Sequence, residues 1–172
     1  MKTIKIIIVF SFVFFWGIQI ANSQNLTYSE LMRLSKIQRW SEIEKFLSTR
    51  KYKYAGSIER DDHRTVTWTY NCPDLIFTEK GFNFSYHIGK NRSVVSIQDY
   101  EDGQKCYEYI FPSNEAYNLF LRTAPKNNFI FYEDGINDDE IFETYIRIKQ
   151  NRTEYLTFRK NKDDMLVVFY EP

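Results

Sequence analysis

The chain has 172 residues, with 23 Lys and Arg balanced by 23 Asp and Glu, and aromatic side chains make up 18% of it. Balanced charge argues against a nucleic-acid-binding protein, because phosphate contacts need a clustered basic surface. The aromatics mostly alternate with polar residues, which excludes disorder and points to β-structure.

Residues 1–23 read MKTIKIIIVFSFVFFWGIQIANS. Lys2 and Lys5 form a positive start, an apolar run follows to Trp16, and Ala21 and Ser23 are small residues placed as at a cleavage site. This is the pattern of a secretory signal peptide. The alternative is an uncleaved anchor, but the apolar run is short for a bilayer span. The mature chain is expected to begin near Gln24, outside the cytoplasm, as a secreted or periplasmic protein with a net charge of about −2. No other stretch is apolar enough to span a membrane.

The strongest helical signal runs from Thr27 to Tyr54. Leu26-Thr27-Tyr28-Ser29-Glu30-Leu31 combines a capping box with a hydrophobic staple, and Leu31, Leu34 and Ile37 recur at helical spacing. A second capping box is read at Ser41-Glu42-Ile43-Glu44, so two short helices are predicted over about 28–38 and 41–50. Strands are predicted at 52–58, 65–70, 82–88, 94–100 and 106–111. The clearest is Thr65-Val66-Thr67-Trp68-Thr69-Tyr70, which alternates strictly. Ser113 then caps a helix that Pro125 ends, and four more strands follow at 129–133, 141–148, 155–159 and 166–170. Asp102-Gly103 and Asp134-Gly135 read as turns.

The expected fold class is therefore α+β, as two tandem units over residues 24–111 and 112–172. Each would be a short helical layer packed on an antiparallel sheet of about four strands. The strand spacings of the halves match in order and length. Any α+β protein built of hairpins offers similar spacing, so the repeat rests on order alone. The predicted core of the first unit is Val66, Trp68, Tyr70, Phe82, Phe84, Ile43, Phe46 and Leu47.

On the boxes Thr27-Tyr28-Ser29-Glu30 and Ser41-Glu42-Ile43-Glu44, and on the order of helices and strands, the chain resembles the beta-lactamase inhibitor protein family. The resemblance implies tandem helix-loop-helix and sheet units that present a concave sheet face to a target enzyme. The second unit departs from that pattern, having one clear helix. No recognition motif matches residue by residue.

Two cysteines, Cys72 and Cys106, lie in the exported part. An even count in an oxidising compartment suggests a disulfide. A simple meander opposes it, because three strand spacings of about 4.8 Å separate the pair, against the roughly 7 Å that a disulfide tolerates between Cα atoms. The bond thus requires the 71–81 loop to fold over, or another strand order.

No catalytic constellation emerges. His63 lies in the charged turn Asp61-Asp62-His63-Arg64, and His87 lies two residues from Ser85 on one strand face without a third partner or oxyanion donors. The acidic run Asp134–Glu140 lacks the order of an EF-hand loop. No metal site or cofactor is expected. A binding face is the better candidate. Thr67, Ser85 and His87 in the first half and Tyr145, Arg147, Tyr155 and Arg159 in the second are assigned to the sheet side away from the helices. Tyr and Arg are the residues that interfaces favour, although an ordinary solvated sheet face has the same pattern. These features point to an exported, non-enzymatic module that binds a protein partner in the cell envelope or outside the cell, of inhibitor or immunity type. The alternatives are a small envelope hydrolase and a ligand-binding or structural envelope protein.

Overall fold

The computed structural model describes residues 26–72, 77–78, 81–82, 92–111, 113–137, 140–161 and 165–171. The expected signal peptide, and Phe84, Ser85 and His87, lie outside them. Phe82 is described in its backbone alone.

Two helices come first, α1 (Tyr28–Leu34) and α2 (Trp40–Ser48). The first capping box forms as read: the Thr27 hydroxyl accepts from the Glu30 amide at 3.3 Å, and the Glu30 carboxylate accepts from the Thr27 amide at 2.9 Å. The second does not. Arg39 is the N-cap of α2, without a side-chain cap bond, and Ser41 lies inside the helix. Arg50 ties the helices together, donating to Glu30 at 2.9 Å while its guanidinium lies 3.7 Å from the Phe46 ring centre. Strands β1 (Lys53–Glu59) and β2 (His63–Tyr70) follow, then the short pair β3 (Phe77–Thr78) and β4 (Gly81–Phe82), then β5 (Ser93–Tyr100) and β6 (Lys105–Phe111). Helix α3 (Asn114–Thr123) has the expected cap, Ser113 accepting from the Ala116 amide. After a 3-10 turn at Pro125–Asn127 come β7 (Ile130–Asn137), β8 (Glu140–Lys149), β9 (Arg152–Lys160) and β10 (Met165–Glu171).

The expectation of two helix-and-sheet units is not met. Eight strands make one continuous antiparallel sheet in the order β1-β2-β5-β6-β10-β9-β8-β7, and all three helices cover one of its faces. The physical reason lies at the centre. The last strand of each half, β6 and β10, pairs along its whole length from Met165↔Phe111 to Glu171↔Lys105. Backbone groups that two separate sheets would leave on open edges are satisfied by each other. One core then runs through both halves. It joins Leu31, Ile43, Leu47 and Trp68 to Tyr109, Phe111, Phe120, Leu156, Phe158 and Val167. Of the core expected for the first unit, Val66, Trp68, Ile43, Phe46 and Leu47 are buried and Tyr70 is half-buried.

The strand order also settles the cysteines, and no disulfide forms. Strand β2 pairs directly with β5, with no strand between them. Removing one strand from the meander reverses the direction of every later strand. Cys72 follows Tyr70, which pairs with Ser93, whereas Cys106 pairs with Gln98. Five residues of β5 therefore separate the two ends, roughly 17 Å of extended chain. Cys72 instead donates to the Tyr70 carbonyl at 3.2 Å and packs with Val94 and Ile110.

Asp134-Gly135 is not a turn but sits within β7. Gly135 gives room there to a neighbouring ring. It pairs with Phe142 on β8, and a Cβ at this position would lie 2.8 Å from the Phe142 ring. No helix of the described residues is long and apolar enough to cross a membrane.

Candidate functional site on the open sheet face

Alternation along the strands sends Tyr107, Tyr109, Phe111, Leu156, Phe158, Val167 and Phe169 to the helices. It sends Cys106, Glu108, Tyr155, Thr157, Arg159, Val168 and Tyr170 to the other side. A hollow of about 500 Å³ opens on that side, touching Tyr100 of β5 and Glu133 of β7. In a flat sheet those strands would be five spacings, about 24 Å, apart. The sheet therefore curls, and its open face is concave.

The hollow is lined by Tyr100, Tyr155 and Tyr170, by Arg159, and by Phe142 with Glu133 and Glu140 at the β7–β8 side. The Tyr155 and Tyr170 rings lie 6.3 Å apart. The Tyr170 hydroxyl donates to Gln104 at 2.6 Å, and that of Tyr100 donates to Gln98 at 2.8 Å. The Gln98 amide donates in turn to Glu108 at 3.1 Å. This chain of bonds fixes two of the three rings before anything binds. Arg159 is exposed and forms no ion pair or hydrogen bond with a described residue. Its charge is felt through space by Glu108 and Cys106.

Electrostatics decide what this arrangement can do. Burial raises the pKa of the Glu108 carboxyl, with Arg159 and His63 partly offsetting it. Burial, with Glu108 beside it, pushes the Cys106 thiol up to about 12. A thiol held so far above neutral pH supplies no thiolate, so Cys106 is not poised as a nucleophile. His63 stands at the rim, its Nδ1 2.7 Å from the Asp62 carboxylate and its ring 5.0 Å from that of Tyr100. No cluster of metal-ligating side chains occurs among the described residues.

The residues read from sequence as one binding face divide. Tyr155 and Arg159 line the hollow. Tyr145 and Arg147 point to the helix side. Tyr145 pairs with Leu156, packs against the core and meets the Phe158 ring edge-on at 5.7 Å. Arg147 pairs with Glu154, bonds to its carboxylate and to the Asn127 carbonyl, and lies over the Phe129 ring. Antiparallel register is the reason. Opposed residues share a face, and Tyr145 is opposed to Leu156, not to Tyr155. Thr67 does lie away from the helices, but it is fully buried and hydrogen-bonded to Ser96 at 3.1 Å. Ser85 and His87 lie outside the described residues. Sequence reasoning missed Tyr100, Glu108 and Tyr170. For Glu108 the signal was the alternation Cys106-Tyr107-Glu108-Tyr109-Ile110-Phe111, which places a carboxylate on the face opposite two tyrosines.

No known protein-family model, curated protein or solved structure matches this chain.

Proposed function

We propose that this is an exported, non-enzymatic binding module, of inhibitor or immunity type, that receives a protein partner on the concave face of its sheet. The observation that carries the reading is Arg159, an exposed cation without an ionic partner among the described residues, at a hollow lined by Tyr100, Tyr155 and Tyr170. Tyrosine offers a large rigid contact at small entropic cost, and arginine offers a directed fork of donors. A hollow of about 500 Å³ admits a protruding loop with one or two side chains. The Arg159 guanidinium favours a loop that carries a carboxylate. The pattern at residues 1–23 supports export.

The test is affinity capture of the mature protein against envelope extract, with mass spectrometry of what is retained, repeated with Tyr155→Ala, Arg159→Ala and Tyr170→Ala. At least one of these should weaken binding of the captured partner by about 2 kcal/mol, with the melting temperature held. Undiminished binding by the triple variant would remove the reading.

A further inference from the structure

A second recessed region lies on the opposite side of the molecule, where the end of α1 meets the β8–β9 hairpin. It is a hollow of about 420 Å³ lined by Lys36, Arg147, Lys149, Arg152 and Glu154. We propose that this cleft binds a small, multiply charged oxyanion, bearing phosphate or carboxylate groups.

The β8–β9 turn holds the cations in place. Lys149 is directly opposed to Arg152, and the two residues between them, Gln150 and Asn151, both have positive φ, at 51° and 65°. This is the tight two-residue hairpin turn, whose register leaves no slack. Opposed residues share a face, so Lys149 and Arg152 stand on the same side of the hairpin. One pair further in, on the same face, Arg147 is opposed to Glu154. Glu154 is the acid among the described residues lining the hollow, and the bond from Arg147 already consumes its charge. Lys36 approaches from the end of α1. Lys36 and Lys149 are both exposed and pair with no described carboxylate.

The chain as a whole carries as many acids as bases, so this concentration is not the overflow of a basic protein. The cleft is also extended. A neighbouring hollow of about 390 Å³ shares Ser35, Arg152 and Phe169 with it and adds Asp102 and Lys105, the latter 3.9 Å from the Asp99 carboxylate. A volume of this order suits a small molecule. Ammonium groups converging from two elements suit several oxyanion groups at once. The inference does not rest on the concave face, which lies on the other side of the sheet.

Isothermal titration of the full mature chain at low ionic strength tests it, with sodium tripolyphosphate in one arm and citrate in the other. The comparison is between Lys36→Gln/Lys149→Gln and a control pair outside the cleft, Lys45→Gln/Lys51→Gln. The expected result is saturable one-site binding of tripolyphosphate that weakens at least tenfold in the first variant and not in the control. Citrate binding at comparable strength assigns the site to oxyanions in general, and its absence assigns it to phosphate. Either result supports the cleft. Failure to saturate, equal weakening by the control pair, or no change in the Lys36→Gln/Lys149→Gln variant would each overturn it. The melting temperatures of all forms, measured alongside, separate lost binding from lost folding.

Discussion

Strand β9 serves two surfaces with opposite physics. Its helix side carries Glu154, Leu156 and Phe158, all buried, with Phe158 meeting the Tyr117 ring edge-on at 6.0 Å. Its open side carries Tyr155, Thr157 and Arg159, which line the hollow. Around Leu156 and Phe158 the helix side is close-packed, so these residues contribute through burial and complementarity. The open side is partly exposed, and two of the tyrosines that line the hollow with it are also held by hydrogen bonds. One strand can serve both surfaces because the side-chain period of a strand is two residues. A one-residue slip would exchange the two sets. The register that builds the core therefore also builds the candidate site.

The sharpest way to break this comparison is to truncate neighbours on the same strand. Phe158→Ala should cost about 3–5 kcal/mol in denaturant melts, whereas Arg159→Ala should change stability by no more than about 0.5 kcal/mol. Equal losses would mean that the two faces are not physically distinct. The buried ion pair tests the helix side in another way. Glu154→Ala leaves the Arg147 guanidinium half-buried without its carboxylate, and should cost about 3 kcal/mol. An Arg147→Leu/Glu154→Leu variant should recover most of that loss, because two apolar residues need no mutual solvation. A double variant as unstable as the single one would show that the pair's surroundings, and not the pair, set the cost.

A smaller effect is expected at the capping box, where Glu30→Ala should cost about 1 kcal/mol. Burial alone would raise the pKa of this carboxyl, but the Thr27 amide and hydroxyl and the Arg50 guanidinium outweigh it and hold it below its ordinary 4.5. Its contribution is therefore present above that value and lost as pH falls through the lowered one. Glu108 on the open face has the reverse sign. Burial raises it above 4.5, so the native state keeps its proton at a pH where the unfolded chain has released it. That contribution is present at low pH and lost as pH rises through the raised value. Glu108→Gln should abolish this decline, the smallest effect of the four. Urea melts of both variants across pH 3–8 check the pair together (range chosen to bracket ordinary carboxyl titration). Slopes of the same sign for the two residues would contradict the assignment.

Much of the local structure was legible in the residues. The Thr27 and Ser113 caps and the boundaries of β2, β5 and β6 lie close to where alternation and capping chemistry put them. These depend on groups within a few residues of one another. The misreadings lie where a local pattern has two solutions. Asp134-Gly135 has the composition of a turn, yet its glycine accommodates the ring of Phe142, seven residues away. Ser41 has the composition of a cap, yet the helix starts a residue earlier, where Trp40 stacks on Trp68 at 6.1 Å between ring centres.

The candidate site was half legible. Tyr155 and Arg159 stand out as aromatic and cationic residues on the polar side of a strand. Tyr145 and Arg147 look the same but face the core, because alternation within a strand shows which residues share a face and not which face is covered. By itself, then, the sequence determined the starts of α1 and α3, most of the strands and the alternation that splits each strand into two sets, because these follow from hydrogen bonds and side-chain periods of short range. Tertiary structure decided that the two halves share one sheet through β6 and β10, that Cys72 and Cys106 stand at opposite ends of it, and that its open face curls into a hollow. Those outcomes depend on which strands pair across long stretches of chain, and backbone hydrogen bonds are much the same whichever partner supplies them.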